Sequence, residues 1–456
     1  MQKTDETPVA AESSGAAGSR PFAVTNRLVL SIAVPMTLAY LSTPLLGLTD
    51  TAVVGRFGDP ALQGGLAAGA IVFDVVFTTF NFLRAATTGL VAQASGRGDE
   101  AQERLVLYRA LLVALASGLA ILLAGPLIAA AGEAFVDPGP RAAEAMVLYI
   151  LIRVLSTPAA LGNYVILGYV LGRGEGRTGL ALQFLLNGTN IALSIWLGLW
   201  LGWGLEGVAW GTVAGETLTF AAGLLLLARR FAKQWRVPWT AVLDMVALKR
   251  LFGLSGDIMI RSFALLAAFA WMTRAGAQLG TVTLAANAIL LNFFMVAGYF
   301  LDGFATAAEQ LVGRAIGARF RPAFDRAVTL TLWWGLGLAL FLMAVFLAGG
   351  DWLIGLMTTA PDVRAEASAH LVLASLCALT GVVAFQMDGI FIGATWSRDM
   401  RNMMLVSLAL YFAALWALVP AFGNAGLWSA LHVFLIARGL SLGAILTLRR
   451  RQAFAM

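Results

Sequence analysis

An all-α membrane protein of twelve transmembrane helices, arranged as two pseudo-symmetric six-helix lobes, is the fold class this sequence predicts. Three observations lead there: an apolar composition, twelve apolar runs of membrane-spanning length, and an internal repeat. Of 456 residues, 59% are hydrophobic and only 12% charged, against about 25% charged in a soluble domain. That leaves too little polar surface to cover a particle in water. The 49 glycines suit helices that pack backbone to backbone in lipid.

A spanning helix needs about 20 mostly apolar residues. The runs fall at 28–54, 64–95, 105–131, 143–171, 178–201, 205–228, 251–278, 282–313, 327–355, 367–395, 402–421 and 425–448. Pro35 and Pro44 interrupt the first run, where each removes a backbone donor and favours a bend. Before it, residues 1–26 are polar, carry no cleavable signal pattern and read as a disordered cytoplasmic tail. The N-terminal lobe spans 27–230 and the C-terminal lobe 251–450. Between them, 231–250 reads as an amphipathic linker on the inner leaflet, with Lys233, Arg236, Lys249 and Arg250. Of the 31 basic residues, 23 fall in the termini and the even-to-odd loops, including 6–7. The positive-inside rule then puts both termini in the cytoplasm. The net charge of +6 therefore reads as topology, with the bilayer as partner and no nucleic acid.

The second half echoes the first. Asn81 to Gly96 (NFLRAATTGLVAQASG) aligns with Asp302 to Gly317 (DGFATAAEQLVGRAIG), Asn163–Gly168 with Asp388–Gly393, and Gly204–Gly207 with Gly423–Gly426. The offsets are near-constant and the order is kept, which points to duplication. Six spans per half make the repeats parallel, so the lobes rock around a central site.

Charges inside a membrane each need a reason. Asp50 sits near the outer end of helix 1 among small residues, as a helix-end carboxylate or as a proton site in a cavity. Gln183, Asn187, Asn190 and Ser194 share one face of helix 5, as helix glue or as cavity lining. Arg153 and Arg84 are central in helices 4 and 2, and Arg153 snorkels or pairs internally. Asp257 and Arg261, four apart, are placed to pair with each other, while Asp302, Glu309 and Asp388 form a candidate second ion site. The two histidines, His370 and His432, lie far apart without zinc spacing, and no Walker or GxSxG element occurs. Cys377 is alone, so it can form no intramolecular disulfide. These absences argue against an enzyme, an ATP-driven pump, a metal site and any cofactor.

Four segments together resemble one family: Pro44–Gly55 (PLLGLTDTAVVG), Phe82–Ala94 (FLRAATTGLVAQA), Leu284–Ala288 (LAANA) and Asp388–Thr395 (DGIFIGAT). The chain is similar to the multidrug and toxic compound extrusion (MATE) transporters, in the branch named after DNA-damage-inducible protein F, from about Leu28 to Arg450. The resemblance implies two lobes in a V within the bacterial inner membrane. It implies a monomeric antiporter exporting cationic, amphipathic drugs against an inward gradient of H⁺, with Na⁺ the other candidate ion. It assigns proton coupling to Asp50, the helix-1 bend to Pro35, and cavity positions to Tyr149, Asn190 and Thr212. Arg153, Asn163, Asn187 and Ser194 complete the candidate cavity. Relatives with a second acid in an N-I-x-L-D pattern differ from this chain, which reads Asn190-Ile-Ala-Leu-Ser194 and leaves Asp50 acting largely alone. Two other readings stay open: an organic-acid (citrate-like) exporter, which needs cationic groups such as Arg153, and a flippase of lipid-linked saccharides, which needs a cationic cavity.

Overall fold

The computed structural model describes residues 20–232 and 238–455. Ten helices of spanning length run in order: α1 Asn26–Gly55, α2 Pro60–Arg97, α3 Glu100–Leu123, α4 Pro140–Gly172, α5 Gly176–Trp200, α6 Gly204–Arg230, α7 Met245–Leu279, α8 Thr281–Gly317, α9 Arg321–Met357 and α10 Pro361–Gly393. The last helical stretch, Ser397–Ala453, is two spans joined at Gly423, whose backbone is non-helical at φ 55°, ψ −127°. They are α11 (397–422) and α12 (424–453). Among the described residues twelve spans therefore stand close to the apolar runs, except that the third run divides between α3 and a separate short helix, Gly125–Val136. Among the described residues no strand occurs.

Local sequence explains the ends. Thr25, Asp59, Asp99 and Asp244 cap α1, α2, α3 and α7 by accepting backbone N–H bonds, as short polar side chains do at a helix start. Proline opens α2, α4, α9 and α10 at positions where its missing N–H costs nothing. Helix α1 runs helical through Pro35 and Pro44. Residues 1–19 of the expected tail lie outside the described residues. Residues 20–25 are described, and the Arg20 amide donates to the Ala318 carbonyl at 3.0 Å. In the expected linker, residues 233–237 lie outside the described residues. Trp239–Val242 forms a short helix, and the Arg109 guanidinium on α3 ties it down through the carbonyls of Ala241 and Val242 at 2.5 and 3.1 Å.

Among the described residues three large apolar cores set the shape, beside a small one around Met36 and Leu171. One draws on both lobes, from Val29, Leu83 and Leu107 to Leu311, Phe324 and Phe391, near the end of the helices that carries the basic loops. Towards the opposite end the cores separate. One lies wholly in the first lobe around Val54, Met146 and Val208, the other wholly in the second around Leu290, Tyr411 and Trp428. The lobes are thus joined at the basic end and divided at the other.

The repeat is visible atom by atom. A Cβ at Gly96 has no room against the Arg314 carbonyl, and one at Gly317 has none against the Gln93 carbonyl. These four residues are repeat equivalents, so α2 and α8 cross by a reciprocal backbone contact about a pseudo-two-fold axis. Gly204 and Gly423, also equivalents, both adopt positive φ at the start of a lobe's sixth helix (56° and 55°).

Candidate functional site

Two cavities occupy the molecule's interior, one in the first lobe and one between the lobes. The first, about 300 Å³, is lined by Arg153, Asn163, Gln183, Asn187, Asn190 and Glu216 with apolar neighbours such as Phe77 and Leu186. The side-chain spacing on α5 directs Gln183, Asn187 and Asn190 inward, and the two asparagines find partners. Asn187 donates to the Ser42 hydroxyl at 2.7 Å. Asn190 donates to the Thr212 hydroxyl on α6 at 2.8 Å, and Thr212 donates to the Val208 carbonyl at 3.2 Å. Asn163 donates to the Glu216 carbonyl at 2.8 Å.

Asp50 is only 5% exposed. Among the described residues its carboxylate makes no ion pair and accepts one hydrogen bond, from the Ser194 hydroxyl at 3.0 Å. The same hydroxyl lies 3.1 Å from Asn190 Oδ1. One hydroxyl proton bonds fully to only one of these acceptors at a time, or is shared weakly between them. With Asp50 ionised, Ser194 donates to it. With Asp50 protonated, Asp50 can donate to Ser194, and Ser194 to Asn190. Ser194 also opens a π-helical turn, Ser194–Trp200, and Gly211 on α6 brings its backbone against it with no space for a Cβ. Turns of this type recur where helices carry function.

The sequence reading leaves Glu216 unassigned, though an acid in the middle of an apolar run was the available signal. Glu216 accepts from Arg153 at 3.2 Å and from Ser156 at 2.5 Å. Helix α4 passes through a 3₁₀ turn at Val154–Ser156, which brings both donors to the same carboxylate. Arg153 also donates to the Tyr149 hydroxyl at 2.9 Å, and its guanidinium lies 4.8 Å from the Phe73 ring centroid and 5.8 Å from that of Phe77. Aromatic faces and a carboxylate thus hold its charge. Arg153 pairs inside the lobe and Glu216 lines the cavity, whereas Asp50, Ser194 and Tyr149 lie outside its lining, with Asp50 reaching it through Ser194 and Asn190.

The second cavity, about 490 Å³, lies between the lobes. Its charged lining is Arg84, Arg261, Asp302, Glu309, Asp388 and Arg438, and its walls include Tyr40, Phe269, Phe294 and Phe385. Arg84 of α2 reaches Glu309 of α8 at 3.4 Å, and the Tyr40 and Thr306 hydroxyls meet at 2.9 Å, so both contacts cross the lobe interface. Arg261 and Arg438 both bind Asp388. Arg261 therefore does not pair with Asp257. That carboxylate bonds instead to Arg401 at 2.6 Å and Ser397 at 2.7 Å. A partner on a neighbouring helix displaces the four-residue spacing because it meets the guanidinium head-on. The structure brings Asp302, Glu309 and Asp388 to one cavity, where arginines already neutralise two of them. Among the described residues no cluster of three or more His, Cys, Asp or Glu is placed to hold a metal ion.

Comparison with known proteins locates this arrangement. The family model described as MatE matches residues 35–196 and 258–416, one segment in each lobe. DNA damage-inducible protein F of Escherichia coli (strain K12) is 36% identical over 439 residues, which cover 92% of each chain. A probable multidrug resistance protein NorM of Agrobacterium fabrum is 28% identical over 92% of each chain. Among solved structures, a MOP superfamily transporter from Pyrococcus furiosus superposes with a TM-score of 0.86 at 15% identity, covering 94% of this chain and 96% of the other.

Proposed function

The chain belongs to the MatE family of membrane transporters, and we propose that it is a proton-coupled exporter of cationic, amphipathic compounds, acting as a monomer in the bacterial inner membrane. The observation that carries this reading is Asp50: a buried carboxylate whose only hydrogen-bond partner among the described residues is a neutral hydroxyl. A carboxylate withdrawn from water without a counter-ion is poised to take up a cation or a proton. Arg153 does not fill that role, because Glu216 and Tyr149 already hold it.

The cycle follows from the charge. Ionised Asp50 stabilises the substrate-loaded form facing outward. A proton entering from outside neutralises Asp50, turns the Ser194 hydroxyl towards Asn190 and weakens substrate binding. A tenfold weakening needs about 1.4 kcal/mol, well within what one buried charge can supply. The neutral site then returns inward, bending α1 at Pro35, and loses its proton there. Tyr149, Arg153, Asn163, Asn187 and Thr212 shape the cavity around that exchange. The relative named as a multidrug resistance protein supports a broad substrate range.

Accumulation of a panel of fluorescent dyes by everted vesicles tests this, with proton and sodium gradients imposed separately. Dye movement driven by the proton gradient alone is expected. Movement driven only by sodium would overturn the choice of ion, and no movement under either gradient would overturn the exporter reading.

A further inference from the structure

The cavity between the lobes carries a charge arrangement that the proton cycle does not use. Its three guanidiniums and three carboxylates balance in number, but they are not matched one to one. Arg84 takes Glu309. Arg261 and Arg438 both take Asp388, which leaves a surplus positive charge there. Asp302 is left over: among the described residues its carboxylate has neither an ion pair nor a hydrogen bond, though it lines the same space. The surplus guanidiniums keep donors in reserve. Arg261 and Arg438 are 8% and 3% exposed, and the Nε of each is buried without a partner. Each guanidinium has five N–H donors, and only one nitrogen of each is engaged with Asp388.

We propose that this cavity binds amphipathic zwitterions, with the substrate's carboxylate at Arg261 and Arg438 and its cationic centre at Asp302. The inference rests on the proton-coupled exporter reading and replaces the simple cation of that reading with a zwitterion as the preferred substrate. Two physical arguments favour a zwitterion over a simple cation or anion. The cavity with all six groups ionised is neutral, so a ligand of no net charge leaves no excess charge in a low-dielectric space. The opposite poles also lie in one cavity, so a ligand with both charges satisfies both, while a single charge leaves one pole unmet. The volume of about 490 Å³ falls in the range of sites for drug-sized molecules. The rings of Phe269 and Phe294, 5.4 Å apart at their centroids, with Phe385 and Tyr40, offer a flat apolar body its contacts. A cationic centre beside aromatic faces gains further attraction.

Rhodamine B and its ethyl ester share one ring system and differ in a single charge: the free acid is a zwitterion near neutral pH, the ester a cation. Their binding to the purified full-length protein is measured by fluorescence polarisation, against protein-free micelles. The zwitterion should bind at least tenfold more tightly. Arg261→Gln leaves Asp388 with one arginine and the cavity with net negative charge, so the preference should reverse in favour of the ester. Arg261→Lys keeps the charge and should keep the preference, which separates charge from folding. Asp302→Asn should weaken both dyes about tenfold. Equal or tighter binding of the ester to the unaltered protein, binding of neither dye, or a preference that survives Arg261→Gln would each overturn the proposal. Zwitterion-selective binding without export of either dye under a proton gradient would overturn the exporter reading and leave the binding site standing.

Discussion

Asp50, Ser194 and Glu216 divide the charge chemistry of the first lobe at the scale of single residues. Asp50 has a neutral partner at 3.0 Å, whereas Glu216 has a cationic one at 3.2 Å. Only the first can change protonation without stranding a neighbouring charge. Asp50→Asn removes the ionisable group and keeps the shape. It should reach the membrane at normal level yet lose proton-driven efflux. Full, pH-dependent efflux by that variant would move the proton site elsewhere. Ser194→Asp places a second carboxylate within hydrogen-bonding distance of the first. Like charges oppose each other's ionisation, so the pH profile of efflux should shift upward. An active variant with an unchanged profile would place residue 194 outside the coupling site. Glu216→Gln behaves differently, because it leaves the Arg153 charge buried and unpaired. Breaking such a pair costs about 3–5 kcal/mol. Lower thermal stability in detergent is expected before any change in pH dependence, and a variant as stable as the parent would argue against a structural role for the pair.

Helix crossings set the next scale. Helices α2 and α8 approach through Gly96 and Gly317, where the partner backbone leaves no room for a side chain. Gln93 on the same face donates to the Gly393 carbonyl and Thr395 hydroxyl, both at 3.1 Å. This closed seam must part if the lobes rock. Gly317→Val should therefore force the seam open by sterics alone. A cysteine at Gln93, in a chain with Cys377→Ser, should react with a maleimide slowly in the parent and at least tenfold faster with Gly317→Val. Equal rates would show that the crossing tolerates the extra methyls. The Arg84–Glu309 pair bridges the same two helices one turn or more away from the seam, so it adds an electrostatic tie to a steric one.

The whole molecule is two lobes joined by a common core at the basic end and divided towards the other. If the basic end is cytoplasmic, as the positive-inside rule implies, this form is open to the outside. A reporter active only outside the inner membrane gives the test: fused after Arg451 it should stay inactive, and fused after Thr359, between α9 and α10, it should be active. The reverse pattern would invert the molecule and the direction of the proposed cycle.

The sequence by itself determined the spans, the duplication and most of the membrane-embedded charges. Hydropathy is a property of contiguous residues, and a repeat is a property of order, so neither needs coordinates. Even Gly204 and Gly423, matched by sequence alone, share the same unusual backbone. The partner of each charge was decided only by the tertiary structure. Arg84 meets an acid 225 residues away and Arg261 one 127 residues away, while the nearby Asp257 turns to Arg401. Local spacing predicts pairs on one helix surface, but a buried charge binds whatever carboxylate the packing of neighbouring helices brings into line. Glu216 was visible as an acid within an apolar run, but its role comes only from Arg153 and Ser156 on another helix. Asp302 likewise gains its significance only once the tertiary structure has assigned the other carboxylates of its cavity.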